Sequence, residues 1–432
     1  MNGELLRIRS NTQTQVKRTR ARMISINSKA QRLTNGWISR TLRCSFLTSS
    51  NSPRSSNSLN FGPDFRNDFS SSNNGFERGD DGNTDEEGIL RRIERSFVKA
   101  LTEENLRKLQ SEGFCVCEDA LERELSKALR DEIAVVSRNE HGGRDDEQHA
   151  MVPNSTRFVK DGKEETLEKR GIRELSAPFR DEKRMKYLRA MENDRSLMTL
   201  LNAMTPTASE KLFNVSLKAQ VNDGDGARFP IHFDSDSATD LRRITCLVYL
   251  NEHWKEADGG QLVLYPFPIE EKVVIAPKLG TMVLFNSRYI AHSTMPSNAK
   301  KRYMFTIWLH AKSGLPNDDS LSNTNDNEAD DEKNNAVDDD DIETNAEKQL
   351  AKILAPETRK HLIRVVLAEE WAESIAQAHN PESESTLKAL RTHWEEIDII
   401  ARVLGRAFPL AFVLLEELIR TKKIGDFVKL KF

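Results

Sequence analysis

Apolar and polar residues recur along this chain with two different periods, and the change of period divides it. From Lys211 to Ala311 apolar residues alternate in short runs: KLFNVSLKAQV, ITCLVYL, QLVLYPF, TMVLF and RYMFTIWLHA. A period of two is that of a half-buried strand, and the Gly, Pro, Asn and Asp residues between the runs suit turns. On either side the spacing becomes three and four. LTEENLRKLQSEG reads as a helix that Thr102 caps, with Glu103 and Glu104 in its first turn and Gly113 at its end. FCVCEDAL follows as a strand and ERELSKALRDEIAVV as an amphipathic helix. The polar stretch 139–148 reads as a loop, and FRDEKRMKYLRAMENDRSLMTLLNAM as one long helix stopped by Thr205-Pro206. Helical spacing returns in QLAKILAPETRKHLIRVVLAEEWAESIAQA and STLKALRTHWEEIDIIARVLGRAFPLAFVLLEELIRTKK. The fold class implied is mainly β with flanking helices, followed by a C-terminal all-α module.

Composition then sets boundaries. Residues 1–60 are rich in Arg, Lys, Ser, Asn and Thr, with Glu4 as their single acid and no apolar stretch of secretory length. They read as a transit peptide, addressed to the mitochondrion in preference to the plastid; as a mere basic tail they would leave the protein in the cytoplasm. Residues 61–87 read as a polar linker, with order beginning near Ile89. A core domain spans 88–312, densest in motifs at 218–311. Residues 316–348 are an acidic linker too polar to bury a core, and 349–432 the helical module. Its apolar residues, including Trp371, Trp394, Phe408, Phe412 and Leu415, exceed what a few short helices bury among themselves. The module is therefore expected to dock on the core or to bind a partner, and, reached through a long linker, it is not expected to be needed to build the iron site. His361, His379 and His393 lack ligand spacing. A net charge of -4 gives no case for a nucleic-acid partner. Arg402, Arg406 and Pro409 interrupt the most apolar run, so no membrane span is expected. The four cysteines, Cys44, Cys115, Cys117 and Cys246, form neither a disulfide framework nor a zinc pattern; Cys115 and Cys117 read as packed thiols.

The strand region carries the chemistry. His232 and Asp234 stand two residues apart, which on a strand points both to one face. His292 follows the strand-like TMVLF and supplies a third ligand, with His253 and His310 as rivals. Two imidazoles and a carboxylate leave three open positions on an octahedral ion, the facial arrangement of non-haem Fe(II) oxygenases. In RYMFTIWLHA, alternation puts Arg302, Met304, Thr306 and Trp308 on one face. A guanidinium within an apolar run needs an anion, and its planar fork suits a carboxylate. Tyr249, on the face of ITCLVYL opposite Ile244, Cys246 and Val248, can offer its phenol to the same anion. Gly259, Gly260 and Gly280 read as tight-turn residues. The loop Ser235–Arg242 lies beside the expected metal and could cover a substrate.

Taken in order, H-x-D, Y-L-N, G-G-x-L, G-x-x-x-x-F, H-x-x-x-P and R-Y-x-x-T-x-W resemble the prolyl 4-hydroxylase branch of the 2-oxoglutarate/Fe(II) oxygenases. Within it they look closest to the hypoxia-sensing type. The resemblance runs from about Thr102 to Ala311 and is dense from Lys218 onward. It implies a double-stranded β-helix (jelly-roll) core, Fe(II), 2-oxoglutarate, O2 and L-ascorbate, and a protein substrate with an exposed proline. It carries iron binding onto His232, Asp234 and His292, and the 5-carboxylate of 2-oxoglutarate onto Arg302, helped by Tyr249 and Thr306. Two departures stand out. Arg302 follows His292 by ten residues, a collagen-type spacing, while Lys301 holds the sensor-type position. Phe229 stands where sensor-type members carry a tyrosine. Hydroxylation of another protein side chain or of a small molecule is the alternative enzyme reading. A binding module working through the C-terminal helices is the non-enzymatic one.

Overall fold

The computed structural model describes residues 85–138, 151–160, 163–203, 211–235, 240–267, 272–311, 339–380 and 382–411. Segment 1–60, Cys44, Phe412, Leu415 and most of both linkers lie outside them. Helix α1 (Glu86–Ala100) starts at the end of the stretch read as linker, because the Asp85 carboxylate accepts the Gly88 N–H at 2.8 Å and caps it. Its stripe Ile89, Ile93 and Phe97 is buried. Thr102 caps α2 (Glu103–Glu112), and Gly113, at φ 82°, ends it before β1 (Phe114–Cys117). Helix α3 (Arg123–Arg138) follows. The single long helix expected next is two short ones, α4 (Lys186–Asn193) and α5 (Ser196–Asn202). Asp194 breaks them apart: its Oδ1 accepts from Ser196 N–H at 3.0 Å and from Ser196 Oγ at 2.7 Å, giving the chain an alternative to the helical bond.

The remaining strands are β2 (Val152–Lys160), β3 (Lys163–Ser176), β4 (Leu212–Asn222), β5 (Arg242–Tyr249), β6 (Leu262–Tyr265), β7 (Val273–Ile275), β8 (Met282–Asn286), β9 (Ala291–Thr294) and β10 (Arg302–Ala311). They form an antiparallel seven-stranded sheet, β1-β8-β5-β10-β4-β3-β2, facing a three-stranded one, β7-β6-β9. A backbone bridge between His232 and His292 adds the His232 segment beside β9. Alternation sorts the side chains. Leu247, Tyr249, Val283, Phe285 and Met304 point inward and meet Leu262, Leu264 and Ile275 of the small sheet. Cys246, Val248, Phe305, Ile307 and Leu309 point outward, where α1–α5 cover them together with buried Cys115 and Cys117. This is the double-stranded β-helix. Strands β2 and β3 escape the sequence pattern, since KEETLEKRGIRELS alternates charges rather than apolar residues. They are held as an edge hairpin by backbone pairing to β4.

The C-terminal helices are α6 (Asp339–Ile353), α7 (Pro356–Val366), α8 (Ala368–Ala378) and α9 (Glu384–Ala407). Helix α6 begins inside the stretch 316–348 read as linker; once its C-terminal turns pack, extending a helix backwards costs little. Leu350, Ile353, Leu354, Leu362 and Leu404 form one small core with Phe267 packed against it. Ile363 and Trp371 form another with Ile231, Phe233 and Ala291 of the β core. His379 and His393 are buried on backbone carbonyls, at 2.8 Å from Glu168 O and 3.0 Å from Ala368 O. Among the described residues no helix is long and apolar enough to cross a membrane.

Candidate metal and anion site

Helix α8 lies along the segment that carries the first ligands. Trp371 meets the Phe233 ring at 5.8 Å, Ser374 Oγ accepts the Ile231 N–H at 2.9 Å, Gln377 accepts from the Arg228 guanidinium, and His379 reaches β3. Successive turns of one helix face thus fasten residues 228–233. The expected docking of the C-terminal module on the core is seen here. It reaches the segment that carries His232, which the reading of these helices as not needed to build the iron site did not include. A polar tether reports its own solvation and says nothing about where the chain beyond it returns.

Residues 231–235 form no regular strand; His232 instead exchanges both backbone hydrogen bonds with His292 at 3.0 Å. The two rings stand 4.2 Å apart. Each Nδ1 faces the carbonyl two residues earlier, Pro230 O at 2.8 Å and Ile290 O at 3.3 Å. Donation there leaves the Nε2 lone pairs free for a metal. Asp234 Oδ2 accepts from Thr245 Oγ1 at 2.6 Å and from Trp308 Nε1 at 3.0 Å. Its Oδ1 stands 3.5 Å from His232 Nε2 and 3.7 Å from His292 Nε2. The three ligand atoms lie within 4.8 Å of one another. Burial opposes ionisation of Asp234, yet His292, His232 and the Thr245 hydroxyl hold its carboxyl far below the usual range. Burial, and then the neighbouring His232, pushes His292 down to about 4 against the pull of Asp234. Neutral imidazole and ionised carboxylate are the ligand forms, so the donor set fits a divalent iron. The rivals stand elsewhere: His253 is exposed, and His310 is hydrogen-bonded to Ser216 Oγ at 2.8 Å.

Arg302 is fully buried at 1% exposure, and its Nε and Nη2 lack hydrogen-bond partners. Its Nη1 reaches Met304 Sδ at 3.4 Å, and the guanidinium lies 5.0 Å over the Tyr249 ring. Tyr249 Oη, Ser297 Oγ and Gln261 Oε1 are buried without partners as well. Burial lowers the Arg302 pKa and pushes the Tyr249 phenol up to about 12, each group partly relieving the other. A buried cation beside unpaired donors is costly in water's absence, and a two-oxygen anion satisfies it. Gly260 keeps the space open. At φ 72°, a Cβ there would fall 2.8 Å from Arg302 Cδ and 3.3 Å from Ser297 Oγ. The turn reading of Gly260 therefore stands beside a second reason, close approach to the anion cradle. Lys301 is half exposed and paired with Asp223 at 2.5 Å. Thr306 is buried on the Arg302 face, opposite Leu247 of β5 and Lys218 of β4. Sequence reasoning missed Thr245, Ser297 and Gln261. Thr245 was within reach, being four residues before Tyr249 on the same strand face; Ser297 sits in a loop with no periodic signal.

Residues 217–310, which hold all these ligands and the arginine, match the sequence pattern of the 2OG-Fe(II) oxygenase superfamily. The chain carries a 2OG-Fe(II) oxygenase domain. It is similar to Egl nine homolog 1 of Rattus norvegicus, 25% identical over 218 residues, 46% of this chain and 56% of the relative. The Homo sapiens Egl nine homolog 1 is 32% identical over 87 residues, 20% of each protein. The chain thus spans about half the length of the rat relative. A solved prolyl 4-hydroxylase from Phytophthora capsici shares the fold at 24% identity and a TM-score of 0.52, covering 79% of this chain and 98% of that one. That span is longer than residues 85–311, so the likeness extends beyond the oxygenase core itself.

Proposed function

We propose that this oxygenase is a protein-directed prolyl 4-hydroxylase. The observation that carries the chemistry is the juxtaposition of a complete His-Asp-His cluster with a buried arginine that lacks an anion. The prolyl target rests on the motif order and on the likeness to the P. capsici enzyme. His232 Nε2, His292 Nε2 and Asp234 Oδ1 would hold Fe(II), and Arg302, with Tyr249 and Thr306, the far carboxylate of 2-oxoglutarate. Together with O2 these supply oxidative decarboxylation of the keto acid coupled to hydroxylation of a C–H bond. The chain's own residues position and shield. Arg302, fixed in the core, sets the register of an extended dicarboxylate. Thr245 and Trp308 fix the Asp234 carboxylate with Oδ1 toward the histidines. Phe229, stacked at 5.8 Å on His232, puts an apolar wall where a hydroxyl would invite water. L-ascorbate would restore iron oxidised in turnovers without substrate. Residues 1–60 would direct the enzyme to mitochondria, which a reporter fused to them tests directly. The function itself is tested by incubating the protein with proline-containing peptides, Fe(II), ascorbate and 2-oxoglutarate. One oxygen gained on proline, matched by succinate formed, is expected; keto-acid turnover with oxygen on a different residue class would transfer the reading to the alternative protein targets.

A further inference from the structure

Of the aromatic rings that touch the metal cluster, Trp308 and Phe229 also meet cations. Trp308, which donates to Asp234, has Lys218 Nζ at 4.9 Å and the Arg242 guanidinium at 4.5 Å from its ring. Phe229, stacked on His232, has Lys169 Nζ at 5.1 Å. Their neutralisation differs. Lys218 pairs with Glu174 at 2.8 Å, and Arg242 lies 3.8 Å from Asp240 and donates to Asp234 O at 2.8 Å. Lys169, on β3, is 9% exposed, and its Nζ donates to the amide oxygen of Asn154 at 2.6 Å. No carboxylate stands at ion-pair distance among the described residues. Glu174 is nearest in charge, but it already accepts from Lys218 and from the Asn154 amide.

When protonated, Lys169 thus has three donors, one neutral acceptor and a nearly closed surrounding. Burial, then the Lys218 charge, pushes it down to about 7, with Glu174 offsetting. It falls in a bulge of β3 between Glu168 and Arg173, which pair with β2, and His379, just past the end of α8, holds Glu168 O next to it. Such a group is completed by an incoming anion, and a charge-assisted bond there gains from the low dielectric. Arg302 lies elsewhere, over the Tyr249 ring, so the anion is not the far carboxylate of the keto acid. Phe229 neighbours both groups, its ring centroid 5.1 Å from Lys169 Nζ and 5.8 Å from the His232 ring. An extended peptide covers distances of this order in roughly two to four residues at about 3.3 Å each.

We propose that Lys169 is a recognition group for an acidic side chain of the substrate protein, a few residues from the hydroxylated position. The inference rests on reading the site as one that acts on a protein chain. Binding is measured by fluorescence anisotropy, with short labelled peptides that carry a central proline and aspartate at varied flanking positions, against their asparagine counterparts. The full chain loaded with Fe(II) and 2-oxoglutarate under anaerobic conditions is the receptor. The native protein is expected to bind one aspartate register about ten-fold more tightly than its asparagine match. Lys169→Met should bind both alike, Lys169→Arg should keep the preference, and both should decarboxylate 2-oxoglutarate without peptide as the native protein does. A preference that survives in Lys169→Met, or its absence in the native protein, overturns the proposal. The readout needs no turnover. Lys169-dependent binding of peptides whose proline is never oxidised would leave the recognition group standing and remove the prolyl reading; oxidised proline with binding indifferent to Lys169 would do the reverse.

Discussion

At the metal end of the site, His232 Nδ1, His292 Nδ1 and Asp234 Oδ2 all have partners within the fold. At the anion end, Arg302 Nε and Nη2, Tyr249 Oη and Ser297 Oγ have none. The anion end is buried, while at the metal end His292 is buried and the His232 side chain is 33% exposed. The two ends also differ in what each awaits. The metal end is pre-organised: its outer atoms are fixed, and only the ligand lone pairs point at one another. Its polar groups belong to a finished network, and removing one strands the others. The anion end is unfinished only in that its buried donors have no partner within the fold, as the proposed carboxylate site requires. Substitutions at the two ends should therefore change the ligand-free protein in opposite directions.

The largest effect expected is from deleting the chain beyond Leu315. Helix α8 fastens Ile231 and Phe233 on either side of His232, and Ala291 beside His292 packs in the same cluster. Truncation should expose that cluster, lose iron and reduce solubility together, as metal analysis and sedimentation would show. A truncated protein that decarboxylates 2-oxoglutarate at the native rate would break the idea that the metal end is pre-organised from outside the β core. Next comes Asp234→Ala. Iron content and turnover should fall below detection. The ligand-free protein should also lose about 1–3 kcal/mol, because the Thr245 hydroxyl and Trp308 indole are left without their acceptor.

How much of this was legible in the sequence follows the same division. Arg302, Thr306 and Tyr249 could be picked out because strand alternation sorts side chains by parity, and the observed registers of β5 and β10 keep that parity. His232 and Asp234 were reached by the same rule although their segment makes only a single bridge, to His292. What stayed hidden depends on the closure of the two sheets. Ser297 stands beside the arginine at Gly260 but comes from a loop, and no period links it to Arg302. The position of α8 was illegible for another reason. Trp371, Ser374 and Gln377 share a helix face in the sequence, but nothing there names the 228–233 segment as the surface they cover. Strands β2 and β3 were missed because edge strands rest on backbone pairing rather than on an apolar alternation.

Arg302→Met should act with the opposite sign on the ligand-free protein. Replacing an unpaired buried cation by an apolar side chain of similar length should raise stability by about 1–3 kcal/mol in thermal unfolding without 2-oxoglutarate. The same change should raise the 2-oxoglutarate KM about ten- to a hundred-fold, since a charge-assisted pair is lost. Iron affinity should hold. If Arg302→Met destabilises the ligand-free protein instead, the guanidinium already has a partner and the anion end is not unfinished. Gly260→Ala tests the same end by steric means. Left-handed backbone costs an alanine about 1–2 kcal/mol, and its methyl would press on Arg302 Cδ. A raised KM for 2-oxoglutarate with normal iron content is expected; an equal loss of iron would show that the two ends are not separable.

The smallest effect should come from Lys301→Ala, and it sharpens which cation finishes the anion end. Lys301 adjoins Arg302 in sequence, and its spacing from His292 matches the sensor-type position. Its ammonium nevertheless lies half exposed on Asp223, at 2.5 Å, and Asp223 keeps a second partner in Arg173 at 2.7 Å. Solvent screens such a pair, so its loss should cost about 0–1 kcal/mol of stability. Asp223 would stay ionised through Arg173, and nothing in the buried cradle would move. The 2-oxoglutarate KM of Lys301→Ala should match that of the native protein. A steep rise there, with Arg302→Met unaffected, would mean that β10 is shifted by one residue in the working enzyme. Every inward and outward side chain of that strand would then change places, and Phe305 and Ile307 would face the iron.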